Sequence, residues 1–335
     1  MFFWNTFLII AILPRTYGWL PSFGTALRTW SLPPRVGTVS CMDSTSFGLV
    51  CGTTRGHVAT FPVESNVAAR TRLLSDGQAL LHIHAQGVFV AGSYFDADLG
   101  KYVVRLMDMN RQYDPFTLYH RTHVLGGGFV RINMDLCFFS MSIDGFYVVS
   151  SARRGKVLRV GMLKELIGYS GYTPACVSVI DDGMAVVGTL EGRVFVINIE
   201  LSAINSYAKT AFIPRAVDAI RLRGVRSEYL LAWTSVFGDV VTGHSTRRVF
   251  GQDACKITTK SHDNLGVREA LVHIKIGEKS TVTVQSDIGK SFLIQDGETR
   301  SAQCLAVPSP CLHDLVWHSD EKTQVALMRI NDCEL

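Results

Sequence analysis

The stretch VVGTLEGRVFVINIE, residues 186–200, joins an apolar run to a second, alternating one through a turn that contains Gly192. Glycine reaches positive φ at little cost, and the branched residues Val194, Val196 and Ile197 suit a pleated strand, so the stretch reads as a β-hairpin. The same unit returns along nearly the whole chain. It appears as CGTTRGHVATF around Gly56, GSYFDADLGKYVVRL around Gly100, SSARRGKVLRV around Gly155, TSVFGDVVT around Gly238 and QSDIGKSFLI around Gly289. Successive glycines stand 44, 55, 37, 46 and 51 residues apart. That period is close to the roughly 40–50 residues of a four-stranded propeller blade. A further strand-like segment precedes each hairpin (VGTVSCMD, ALLHIHA, LCFFSMSID, ACVSVID, AVDAIRL, ALVHIKI). More polar runs such as FTLYHRT (116–122) and INSYAKT (204–210) follow, as an outer edge strand requires.

Composition supports a large buried core. Of 335 residues 47% are apolar and 19% charged, far from the profile of a disordered chain. The net charge is +4, with 33 basic residues scattered among 29 acidic ones, so a dedicated nucleic-acid binder is not indicated. The eight cysteines form no CxxC pair, and most lie inside apolar runs, which reads as buried thiols in a reducing compartment. No Asn-x-Ser/Thr acceptor occurs, which disfavours a glycosylated secreted protein.

The unit resembles a WD40-type β-propeller blade, most clearly over ALRTWSLPPRVGTVSCMDSTSFGLVCGTTRGHVATFPV (26–63), and the resemblance covers almost the entire chain. The motifs are degenerate. The Gly-His dipeptide that usually precedes the inner strand is absent from that place, and Trp-Asp is replaced by Met107-Asp108, Phe61-Pro62 or Ile197-Asn198, so the family's buried His/Ser/Asp/Trp network is not carried over. The resemblance implies an all-β, seven-bladed propeller spanning 1–335 as one domain. It also implies a non-catalytic scaffold that binds protein partners as a subunit of a larger assembly, in the cytoplasm or nucleus, without a cofactor.

The chain ends must then close the ring. Thr6–Leu13 and Ala26–Leu32 supply two strands and Cys311–Ser319 and Thr323–Ile330 the other two, so that residues 1–34 complete a composite last blade. The apolar run before Pro14 is too short to span a membrane. Two other readings of these residues remain open. One is a cleaved signal peptide, with a secreted or lumenal ligand- or carbohydrate-binding propeller behind it. The other is a divergent F-box ending in Arg28-x-Trp30, as in ubiquitin-ligase adaptors.

No motif supports an enzyme. His82 and His84 share one face of an inner strand, where satisfied core or channel histidines are expected rather than a metal pair. Gly126-Gly127-Gly128 reads as a flexible connection between blades, Asp181-Asp182-Gly183 as a turn, and Asp96 and Asp98 as decoration of a long exposed hairpin. The candidate partner-binding surface is a set of basic loop residues: Arg153, Arg154 and Lys156, then Arg221, Arg223 and Arg226, then Arg247 and Arg248.

Overall fold

The computed structural model describes residues 24–45, 48–63, 70–180, 183–222, 228–246, 255–261, 265, 270–276, 282–286, 290–295, 298–303, 305–308, 315–319 and 324–330. Six sheets of antiparallel strands follow one another along the chain. Blade 1 comprises Val39–Thr45, Gly48–Thr53, His57–Pro62 and Arg70–Leu73. Blade 2 comprises His82–Gln86, Phe89–Asp96, Lys101–Asp108 and Phe116–His120. Blade 3 comprises Val124–Ile132, Asp135–Ser142, Phe146–Ser151 and Lys156–Met162. Blade 4 comprises Pro174–Ile180, Met184–Thr189, Arg193–Asn198 and Ala203–Lys209. Blade 5 comprises Ala216–Arg221, Glu228–Thr234, Val240–Thr246 and Thr258–Ser261, and blade 6 comprises Leu271–Ile276, Val282–Ser286, Lys290–Gln295 and Glu298–Gln303. A short strand, Cys255–Lys256, adds to the outer edge of blade 4 in parallel, opposite Ser206 and Tyr207.

One more sheet is composite, and it corrects the expected closure. Its strands run in the order Leu305–Pro308, Leu315–Ser319, Gln324–Ile330 and Gly24–Ser31. Three of them come from the C-terminal part of the chain and one from the N-terminal part, rather than two from each. Leu305–Pro308 takes the inner place, where it lies against both Val39–Thr45 and Leu271–Ile276, so the inner strands form a closed circle. The sequence reading expects seven blades, the last a composite of both chain ends; the chain builds six blades in succession, so the blade count differs, and the closing sheet takes one strand instead of two from the N-terminal part. Arg28 and Trp30 belong to the strand paired with Gln324–Ile330, which removes the helix that an F-box would need there. The proposed strand Thr6–Leu13 lies outside the described residues.

Both faces of each blade are covered by its neighbours, which explains why the middle strands are apolar throughout instead of alternating. Along Met184–Thr189 every residue is buried. Ala185 and Val187 pack toward blade 3 with Phe139, Tyr147 and Val149, whereas Met184 and Val186 pack toward blade 5 with Tyr229, Leu231 and Trp233. The same division runs round the ring. Val50 and Val58 of blade 1 face Ile83, Val90 and Val103 of blade 2, while Leu49, Cys51 and Phe61 face Trp30, Leu32 and Val36. Each such side chain removed from water contributes about 1.5–3 kcal/mol, so the blade-to-blade seams hold the ring together.

The hairpin glycines behave as expected in four blades. Gly56, Gly100, Gly192 and Gly238 have φ of 75°, 60°, 69° and 86° and join the second strand to the third. Gly289 lies outside the described residues. Blade 3 differs. Gly155 turns the third strand into the outer one, and Gly145, with φ 82°, makes the second-to-third turn. LCFFSMSID is accordingly the second strand, and the inner strand is Val124–Ile132, which contains Gly126, Gly127 and Gly128. These glycines are therefore part of a strand and not a flexible connection. A Cβ on Gly126 would stand 2.9 Å from the Val177 carbonyl oxygen, and one on Gly128 would stand 2.8 Å from Val179 Cβ. The inner strands of blades 3 and 4 approach too closely there for any side chain.

A polar chain also locks blade 2 to blade 3. His120, 1% exposed, contacts Ser140 Oγ at 2.9 Å through Nε2 and Ser142 Oγ at 3.2 Å through Nδ1, and Ser142 donates to Asp144 at 2.7 Å.

Candidate functional site: a polar central channel

Side chains on an inner strand point alternately into a blade seam and toward the ring axis. The axial ones line two chambers. One, of about 350 Å³, opens on the face where the inner strands begin, here called the inlet face. The other, of about 280 Å³, opens on the opposite, outlet face. His84, Ser178, Asp218 and Lys275 border both chambers and form the waist between them.

The waist is an ionic bridge across the ring. Lys275 of blade 6 reaches Asp43 of blade 1 at 3.3 Å, with 23% and 13% of the two side chains exposed. Asp43 also accepts the Ala85 N–H of blade 2 at 2.9 Å. Asp218 of blade 5 accepts the Ser178 hydroxyl of blade 4 at 2.7 Å and the Ile276 N–H of blade 6 at 2.9 Å. Two carboxylates thus tie five inner strands to one another and attract the same ammonium. Burial opposes the charge on Lys275, but the attraction of Asp43, then of Asp218, outweighs it and lifts the pKa above the ordinary lysine value.

The inlet chamber is lined by imidazoles. His82 and His84 of blade 2 meet His123, just before blade 3, and His273 of blade 6. Burial, then the like charge of His123, holds His82 down to about 4, against a hydrogen bond to the backbone of Val124. Burial and Lys275 hold His273 down to about 3. His84 is likewise pushed down by burial and then by Lys275, and its Nε2 has no hydrogen-bond partner among the described residues. These rings are neutral at pH 7. His82 and His84 were expected to be satisfied channel histidines; the channel position holds, and the orphaned Nε2 of His84 departs from full satisfaction. Among the described residues no group of three His, Cys, Asp or Glu is arranged to hold a metal ion.

Above this floor the inlet face carries exposed apolar residues at equivalent turns: Ile143 in blade 3, Leu190 in blade 4, and Val236 and Phe237 in blade 5, the last 71% exposed. Arg215, also exposed, stands at the rim before the inner strand of blade 5.

The basic residues singled out in the sequence fall elsewhere. Arg153, Arg154 and Lys156 are exposed on the outlet face, at the turn between the third and outer strands of blade 3, with Arg154 Nε 3.9 Å from Asp135. Arg221 ends the inner strand of blade 5 and borders the outlet chamber. Arg223, Arg226, Arg247 and Arg248 lie outside the described residues. Asp96 and Asp98 do not form an acid–base pair: Asp96 Oδ1 accepts the Asp98 and Leu99 N–H groups at 3.1 Å and closes the hairpin turn. Gly183, with φ 74°, fits the expected turn, while Asp181 and Asp182 lie outside the described residues. Cys41, Cys51, Cys137 and Cys176 are free thiols, and burial pushes Cys41 and Cys176 up to about 12 and Cys137 to about 11.

Sequence reasoning missed Asp43, His123, Ser178, Arg215, Asp218, His273 and Lys275. Each motif was weighed on its own strand, whereas the signal lies in comparing copies. Polar residues recur at axial positions of otherwise apolar inner strands, as in VSCMDST, ACVSVI, AVDAIR and LVHIKI.

These features define an all-β propeller with a polar axis. No protein-family profile and no curated protein sequence matches the chain. Among solved structures, the β-propeller domain of Cps50 (Swd1) from Myceliophteria thermophila superposes with a TM-score of 0.72 at 13% identity, covering 92% of this chain and 100% of that one. The chain has a WD40-like β-propeller fold. No helix among the described residues is long and apolar enough to cross a membrane.

Proposed function

We propose that the chain is a non-catalytic interaction scaffold, a subunit of a larger protein assembly in the cytoplasm or nucleus. The observation that carries this reading is the inlet face, where Ile143, Leu190, Val236 and Phe237 stand exposed at equivalent turns around one channel mouth. Apolar residues presented together by rigid hairpins favour a protein surface as partner. Among the described residues the charged groups of the channel beneath them hold strands together. The outlet-face residues Arg153, Arg154, Lys156 and Arg221 form a second proposed contact surface, suited to an acidic patch on a partner. Affinity capture of the full chain from cell extract tests the reading. Stoichiometric partners are expected with the wild type, and a Leu190→Asp/Phe237→Asp variant of unchanged melting temperature should lose them. A chain that emerges alone, or turns over a defined substrate, overturns it.

A further inference from the structure

The inlet chamber has more nitrogen-bearing side chains than carboxylates left to receive them. Its wall carries His82, His84, His123, His273 and Lys275, with Arg215 at the rim. The carboxylates near it are engaged. Asp218 receives the Ser178 hydroxyl and the Ile276 N–H, and Asp43 receives Lys275 and the Ala85 N–H. The Arg215 guanidinium has no hydrogen-bond or carboxylate partner among the described residues. Its charge acts on His123, whose pKa falls through burial and then through the charge of Arg215. A cation and a set of imidazole rings therefore line a cavity at the small end of the range for ligand sites, about 300–1,000 Å³.

We infer that the inlet chamber is a carboxylate receptor, in which Arg215, with His123 and His273 as further donors, grips an acidic side chain of a protein partner whose neighbouring apolar residues rest on Ile143, Leu190 and Val272. This inference rests on the scaffold reading and gives its partner a chemistry. A planar guanidinium matches a carboxylate with two parallel N–H···O bonds, which is the strong form of such contacts. Charge selects the carboxylate over a phosphate. Lys275 is shared between two carboxylates and the buried imidazoles are neutral at pH 7, so among the described residues lining the chamber Arg215 is the one uncommitted charge, suited to a monoanion and not to a dianion. The apolar rim selects a side chain carried on a protein over a free small acid. Ile143, Leu190 and Val272 are 45%, 47% and 37% exposed and all border the chamber.

Selection of a phage-displayed random dodecapeptide library on the full chain tests the inference, with anisotropy titration of the recovered peptides. Enriched peptides should share Asp or Glu at one position between apolar residues. Changing that residue to Gln or Asn, or making Arg215→Met in the protein, should each weaken binding at least tenfold, while Arg153→Met leaves it unchanged. Acetate should compete only at far higher concentration. Arg215 is exposed at a strand end, so the variant should keep the wild-type melting temperature, and His123→Phe serves as a second disabled variant. The inference is overturned by an absence of enriched peptides, by peptides without an acidic residue, by binding that survives Arg215→Met, or by tighter binding of a phosphoserine replacement. Capture from extract separates the two readings. Partners retained equally by wild type and Arg215→Met reject the carboxylate receptor and leave the scaffold standing, whereas capture of nothing by either rejects both.

Discussion

Replacing Lys275 with methionine removes the one ammonium that two channel carboxylates attract. At 3.3 Å the attraction between Lys275 and Asp43 amounts to about 5 kcal/mol at an effective dielectric of about 20, and most of that offsets the desolvation of both groups. The loss on mutation comes from stranding Asp43 and Asp218. Removing one partner of a buried pair costs about 3–5 kcal/mol, and the remaining exposure of 23% and 13% lowers the expectation to about 2–4 kcal/mol. A second substitution, Asp43→Asn, keeps an acceptor for the Ala85 N–H while removing one stranded charge, so Lys275→Met/Asp43→Asn should recover about 1–3 kcal/mol. Asp218 still lacks its cation, so recovery should be incomplete. Urea unfolding followed by tryptophan fluorescence measures all four proteins, since Trp233 is 1% exposed at the seam of blades 4 and 5 and should report loss of the ring. A single variant within about 0.5 kcal/mol of wild type, or a double variant that loses the sum of the singles, refutes the claim that the axis is an ionic tie.

Four further outcomes are expected. His82 at about 4, His120 at about 4 and His273 at about 3 lie below the value of 6.5 they regain on unfolding, so the unfolded chain binds more protons in that window and stability should fall as pH drops from 6.5 toward 4; the urea midpoint should decline between pH 7 and 5, and less steeply in His120→Gln and His273→Gln. His120→Ala breaks two contacts to Ser140 and Ser142 at a buried site and should cost about 2–3 kcal/mol by chemical denaturation. Gly128→Val drives a side chain into Val179 across the blade 3–4 seam and should cost more than about 2 kcal/mol, whereas Gly155→Ala, at a turn of φ 55° where a Cβ would meet only Phe116 at an ordinary contact of 3.4 Å, should cost about 1 kcal/mol. Reversing Arg153, Arg154 and Lys156 to Glu should leave the melting temperature within about 2 °C while reducing capture of any acidic partner that uses the outlet face.

The ring was legible where a local rule decides the local structure. Gly56, Gly100, Gly192 and Gly238 announce hairpins because each must adopt positive φ within a short turn, and the apolar runs beside them are long enough to name strands. Blade 3 was misphased for the same reason. Gly155 also makes a tight turn, so the eye takes it for the second-to-third hairpin, and Gly126–Gly128 looks like a linker because glycine ordinarily interrupts strands. The need for glycine there comes from Val177 and Val179, some fifty residues away in sequence, and no local pattern encodes that approach. With Gly145 in place the turns fall 44 to 47 residues apart from Gly56 to Gly238, more regular than the sequence reading allowed. The channel was illegible in kind. Asp43, Asp218 and Lys275 sit on three separate inner strands and become neighbours only when the circle closes.

The pairing of Gly24–Ser31 with Gln324–Ile330 joins segments separated by about three hundred residues. During synthesis the early strand must wait, its hydrogen-bonding edge open, until residues 324–330 have left the ribosome. Release before residue 324 would leave six assembled sheets without their clasp, and nascent chains of that length are where a chaperone has most to do.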